Sequence, residues 1–174
     1  MERNGSAATS VTVGRARRIA ERALRGSREP TGTPVIFHVR RVAEASPISA
    51  RSVAWLHEVF EHSSVSEEVL LESGLTDEEL RALRLLTRHG LSRSDEDYLA
   101  HIRLIARASG SAGETARAVK RLDLADRKRH PNRRADGWYP PYQAAISLLE
   151  IAEAESASSP RLRGADSWNV PTEA

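Results

Sequence analysis

Trp55-Leu56-His57-Glu58-Val59-Phe60-Glu61-His62 places four ionisable side chains on a segment whose other members are apolar. Residues four apart share a helix face, so a helix here pairs His57 with Glu61 and Glu58 with His62. Imidazoles and carboxylates are costly to bury unless they are paired or hold a metal. The stretch therefore reads as the site-bearing helix of an all-α domain. A His-Glu pair also opens the zinc-protease motif, whose second histidine must fall four residues after the first. Glu61 holds that position and the histidine comes one residue late, at His62. That slip turns the ligand by about 100° around the helix, which rejects the protease reading.

On both sides of this stretch the hydrophobic period is helical. Ala16, Ile19, Ala20, Ala23 and Leu24 line a first helix, followed by a turn-rich loop from Gly26 to Thr33. Pro34 suits the start of a second helix, which carries Ile36, Val39, Val42 and Ala43 inward. Ser46-Pro47 ends it, and the third helix, roughly 49 to 63, holds the opening cluster. A short helix is expected near 66 to 73, ended by Gly74. Thr76 and Glu79 form a capping-box pattern for a helix running to about His89 and stopped by Gly90. Tyr98, Leu99, Ile102, Ile105 and Ala106 mark the next, with Ser109-Gly110-Ser111-Ala112-Gly113 as a linker. Ala118, Val119, Leu122 and Ala125 mark another, about 114 to 128. Trp138-Tyr139-Pro140-Pro141 leads into a last helix with Ala145, Ile146, Leu149 and Ala152. No segment supports a strand. The expectation is an all-α bundle of about seven to eight helices over 13–156, with a flexible N-terminus at 1–12 and a disordered tail at 157–174.

Composition narrows the chemistry. The chain has 174 residues, 40% of them hydrophobic, and no cysteine, so disulfides, thiolate zinc sites and cysteine nucleophiles are excluded. A cytoplasmic protein is the natural expectation. No apolar run approaches the roughly 20 residues that span a bilayer, and 1–12 lacks the apolar core of a signal peptide, so no membrane partner is expected. The formal net charge is only +2, and of 26 basic residues only Lys120 and Lys128 are lysine. Arginine forks suit phosphate, which keeps a phosphorylated small molecule open as ligand. The run Arg127, Lys128, Arg129, Arg133 and Arg134 reads as a solvated loop, and nucleic acid is not expected.

His38 on the second helix, His57 and Glu58 on the third, and Asp123 near the end of the seventh offer imidazole nitrogen and carboxylate oxygen. Such donors suit Mn²⁺, Zn²⁺ or Fe²⁺. Facing helices of a bundle can bring such side chains to one ion. Each also has a plainer reading. His38 can be a core histidine bonded to backbone, Glu58 and Glu61 can be helix-face charges paired with Arg51 or Arg41, and Asp123 can pair with Lys120 at the surface.

The order Arg28…Thr31-Gly32-Thr33-Pro34…His38…Val42-Ala43, then Leu56-His57-Glu58-Val59-Phe60-Glu61-His62, then Val119-Lys120-Arg121-Leu122-Asp123 resembles the HD-domain phosphohydrolases. Within them it looks most like the (p)ppGpp pyrophosphohydrolases of the Rel/Spo and small stand-alone type, over roughly 14 to 152. The resemblance implies a nucleotide phosphohydrolase of the stringent response with an Mn²⁺-type site, Zn²⁺, Fe²⁺ or Co²⁺ being alternatives. His38, His57, Glu58 and Asp123 would be the ligands, and Glu61 with His62 would serve water activation and proton transfer. Arg28, Lys120 and Arg127 would face the substrate. Four positions depart from the family pattern: Glu58 and His62 each stand where it has Asp, Val35 where it has Tyr, and Arg127 where it has Asn. These departures support an alternative, a catalytically inactive HD fold that binds a nucleotide or a partner protein.

Overall fold

The computed structural model describes residues 4–88, 94–131 and 140–158. The fold is all-α; among the described residues the only β-type pairing is an isolated bridge between Arg28 and Pro34. The helices are α1 (Asn4–Ala23), α2 (Val35–Ala45), α3 (Arg51–Leu56), α4 (Val59–His62), α5 (Glu67–Glu72), α6 (Asp77–Leu86), α7 (Asp95–Arg107), α8 (Gly110–Arg129) and α9 (Tyr142–Ser158). A single 3₁₀ turn, Ile48–Ala50, leads into α3. Helix α1 begins at Asn4, so its backbone runs through most of the segment expected to be a flexible N-terminus. His89, Gly90, Arg133, Arg134, Trp138, Tyr139 and 159–174 of the expected tail lie outside the described residues.

Helix α3 packs on α1 and α2 and touches α6 and α8, while α8 packs on α6, α2, α7 and α9. The period of α2 explains why it is central. Val35, Val39, Val42 and Ala43 are buried along one face, and His38 falls on the same stripe. The corner from α2 to α3 is clamped by side chains: Ser46 Oγ donates to the Val42 carbonyl at 2.8 Å and Arg51 Nη2 to the Ser46 carbonyl at 2.8 Å. That clamp fixes the heading of α3, and with it the position of His57 relative to His38.

The expected continuous third helix is broken. Between α3 and α4 the chain makes a turn at His57 and Glu58, with Glu58 at φ −101° and ψ −4°, a sparsely allowed region common at active sites. The cause is local. His57 Nδ1 lies 2.7 Å from the Ala54 carbonyl, the oxygen that a continuous helix offers to the Glu58 N–H. A side chain competing for a helical acceptor in this way frees the backbone from the helix. The capping box at α6 forms as read: Glu79 N–H donates to Thr76 Oγ1 at 3.2 Å and Thr76 N–H to Glu79 Oε2 at 2.9 Å. That helix ends at Leu86, three residues short of His89.

The second correction concerns 109–113, expected to be a linker. Gly110 to Gly113 instead form the first turn of α8. Gly113 is required there for space, because a Cβ at this position would lie 2.1 Å from the Ala108 carbonyl oxygen. The buried face of α8 also differs from the expected one. It runs through Ala112, Ala116, Val119, Asp123 and Asp126, at helical spacings of four and three, whereas the expected Ala118, Leu122 and Ala125 are only partly buried. The inward stripe of α8 thus changes from apolar to acidic over its last two turns.

Candidate metal centre

His38 from α2, His57 and Glu58 from the α3–α4 turn, and Asp123 from α8 converge. One ligand atom from each lies within 4.8 Å of the others, and all four residues are buried. His38 Nε2 is 3.2 Å from His57 Nε2, 3.1 Å from Asp123 Oδ1 and 3.6 Å from Glu58 Oε1. His57 Nε2 is likewise 3.6 Å from Glu58 Oε1. The two rings meet edge to face, with centroids 5.2 Å apart.

Proton placement follows from the partners. The Ala54 carbonyl can only accept, so His57 Nδ1 carries hydrogen, and burial lowers the pKa of this ring and keeps it neutral. Its Nε2 therefore presents a lone pair to the centre. His38 Nδ1 donates to Asp126 Oδ2 at 2.6 Å, and Asp126 is in turn gripped by Arg41, Nε to Oδ1 at 2.6 Å and Nη2 to Oδ2 at 2.9 Å. Burial works against ionising Asp126, but the bonds from His38 and Arg41 outweigh it and hold its carboxyl below the usual range. With Nδ1 committed, His38 also aims Nε2 inward. Two imidazole nitrogens thus face each other across 3.2 Å beside two carboxylate oxygens. Asp123 Oδ1 is buried without a hydrogen-bond donor of good geometry. Such an arrangement can take a divalent ion or a proton on His38. Burial opposes charge on His38, yet Asp123 and Asp126 overcome it and raise its pKa. The donor set of two imidazoles and two carboxylates fits a transition-metal dication.

Basic side chains enclose the cluster. Lys120 Nζ donates to Asp123 Oδ2 at 2.7 Å. Burial disfavours the Asp123 anion, but Lys120 and His38 hold its pKa well below the usual value. Arg127 Nη2 donates to Glu58 Oε1 at 2.9 Å, its Nε lies 3.6 Å from Asp123 Oδ1, and its Nη1 pairs with Glu29 Oε1. His62 Nε2 reaches Glu58 Oε2 at 3.2 Å. Burial opposes the Glu58 anion, and the contacts from His62, His57 and Arg127 lower its pKa despite that. The expected His62–Glu58 pair therefore forms across the turn. His57 gives both ring nitrogens to other partners, and Glu61 Oε1 instead accepts from the Arg88 N–H at 2.9 Å. Loss of water around Glu61 and the neighbouring Glu58 carboxylate raise the Glu61 pKa.

The sequence reading located the four candidate ligands, His62, Lys120 and Arg127, and the structure brings these together. Arg28 is held elsewhere, exposed and with Nη1 donating to the Gly32 carbonyl at 2.7 Å inside its own loop. Gly32 adopts φ +84°, which lets the loop close on that bond. The loop residue that enters the site is its neighbour Glu29, whose side chain is 7% exposed. Glu29, Arg41 and Asp126 were missed by sequence reasoning. Asp126 had a signal, since it follows Val119 and Asp123 at helical spacing on one face of α8. Glu29, in an irregular loop, had none. Comparison of the chain with protein-family models and with curated proteins returns no match. Among the described residues, no helix is long and apolar enough to cross a membrane.

Proposed function

We propose that the chain is a metal-dependent phosphohydrolase of the HD type, acting on a phosphate or pyrophosphate ester of a nucleotide, with (p)ppGpp-like molecules as the leading substrate class. The observation that carries this reading is the convergence of His38, His57, Glu58 and Asp123 within 4.8 Å at a buried point. A divalent ion held there would lower the pKa of a bound water and polarise a phosphoryl oxygen, with Mn²⁺ the first candidate and Zn²⁺, Fe²⁺ and Co²⁺ the others.

The surrounding residues supply the rest. Three carboxylates, Glu29, Glu58 and Asp123, are set against two cations, Lys120 and Arg127. A dication added to this set would raise its positive charge and favour a phosphate. Glu61, whose pKa is raised by loss of water and by the neighbouring Glu58 carboxylate, is the candidate general base. His62 positions Glu58 and can return a proton to the leaving oxygen, because its bond to Glu58 raises its own pKa. Lys120 and Arg127 are the cations available to phosphate oxygens. A cysteine-free chain suits a reducing cytoplasm.

The test is calorimetric titration with Mn²⁺, followed by phosphate-release assays on guanine nucleotides with Mn²⁺ present. Saturable binding that His57→Ala abolishes, together with turnover, is the expected result. No binding of Mn²⁺, Zn²⁺, Fe²⁺ or Co²⁺ sinks the reading. One observation favours a second reading, an inactive nucleotide-binding HD fold. Arg127 and Lys120 already neutralise Glu58 and Asp123 through direct bonds, so the cluster is electrostatically satisfied to a large extent by the chain itself. Nucleotide binding without turnover under every metal would select that reading.

A further inference from the structure

The same two oxygens serve two masters. Glu58 Oε1, which lies 3.6 Å from both imidazole Nε2 atoms, is the atom bonded by Arg127 Nη2 at 2.9 Å. Asp123 Oδ1, which lies 3.1 Å from His38 Nε2, is the atom approached by Arg127 Nε at 3.6 Å. A guanidinium beside these oxygens occupies the electron pairs that an ion would use, and its positive charge repels a dication. A separate bond holds it in place, since Nη1 belongs to Glu29, a buried carboxylate outside the ligand set. The side chain of Arg127 is itself 12% exposed.

Resting on the metal-centre reading above, we propose that Arg127 is a two-position residue that sets both ion affinity and substrate class. Its guanidinium supplies positive charge at Glu58 and Asp123. When an ion takes those oxygens, Nη2 is released while Glu29 keeps Nη1 anchored. A planar donor is then left beside the ion, directed at an anionic oxygen. The ligand that fits an ion and a tethered guanidinium side by side is a phosphoryl group, one oxygen going to each. Glu29 is the positioning residue of this device.

The experiment compares Mn²⁺ affinity by calorimetry in the wild type, Arg127→Lys and Arg127→Gln, and then titrates inorganic phosphate into each Mn²⁺-saturated protein. Removing the competing cation tightens Mn²⁺ binding in Arg127→Gln by roughly tenfold or more, equivalent to about 1.4 kcal/mol. Arg127→Lys, which keeps the charge and loses the fork, falls between. Phosphate binding moves the opposite way, weakest in Arg127→Gln. Circular dichroism checks that each variant folds, and Arg127→Lys carries the test if Arg127→Gln does not. Equal or weaker Mn²⁺ binding in the folded variants overturns the proposal while leaving the metal centre standing. Tighter Mn²⁺ binding with unchanged phosphate binding overturns the substrate half. Absence of Mn²⁺ binding in every protein, the wild type included, removes the metal-centre reading and this proposal with it.

Discussion

Asp126 accepts a 2.6 Å hydrogen bond from Nδ1 of His38, joining α8 to α2 across 88 residues of sequence. Carboxylates that receive the outer N–H of a ligand histidine fix its tautomer and aim. Arg41 holds the other side of Asp126. Asp126→Asn is therefore expected to weaken Mn²⁺ binding by roughly 10- to 100-fold while the helical content stays unchanged. Calorimetry alongside circular dichroism checks both halves, and wild-type affinity in the variant rules out an aiming role for Asp126.

Loss of a ligand has a different signature from loss of its support. His57→Ala and His38→Ala remove a candidate ion donor outright, so under the proposed function each should abolish Mn²⁺ binding rather than reduce it. Added Mn²⁺ should raise the melting temperature of the wild type and leave both variants unmoved, because a ligand stabilises only the protein that binds it. A differential scan with and without chelator reads this directly.

Glu61 is the proposed base and is not among the four candidate ligands. Glu61→Gln keeps the acceptor for the Arg88 N–H and removes the proposed base. Metal affinity should hold while turnover drops by roughly 10²- to 10⁴-fold, the usual contribution of a general base. Turnover that persists in this variant would reassign the proton transfer to His62.

Two helix starts make a contrasting pair for stability. Thr76→Ala removes the cap of α6 and should cost about 1 kcal/mol. Gly113→Ala drives a Cβ into the Ala108 carbonyl, which is backbone and cannot swing aside. It should cost more than the cap, about 1–3 kcal/mol or above. Urea titrations of the two variants give the order, and a neutral Gly113→Ala would mean that the α7–α8 junction relaxes freely.

The helical class was legible because Leu, Val, Ile and Ala recur at helical spacing from α1 to α9, and the capping box at Thr76 and Glu79 needs no tertiary information. The break at His57 and Glu58 was not legible, since it arises from an imidazole taking the Ala54 carbonyl, and period alone extends a helix through it. The start of α8 was hidden for another reason. Ser109 to Gly113 has the composition of a linker, and only the approach of Ala108 reveals that Gly113 is there for space. Choosing Ala118, Leu122 and Ala125 by their apolar character put the expected inward face of α8 off the stripe that holds Asp126. The candidate ligands emerged from donor chemistry and the resemblance in motif order. The bridge from Glu29 through Arg127 to Glu58 joins a loop, α8 and the α3–α4 turn, and no local pattern encodes such a meeting.

The acidic end of the α8 stripe also bears on how the fold opens. Lifting the last turns of α8 away would strand His38 and Arg41 without Asp123 and Asp126, and strip Glu29 and Glu58 of Arg127. Leaving several buried charges without partners costs far more than exposing one helix end. Fraying of α8 from its C-terminal side is thereby blocked in the order in which helices ordinarily fray. Slow amide hydrogens near Asp123 and in the middle of α2 should exchange through one shared opening, with a common dependence on denaturant.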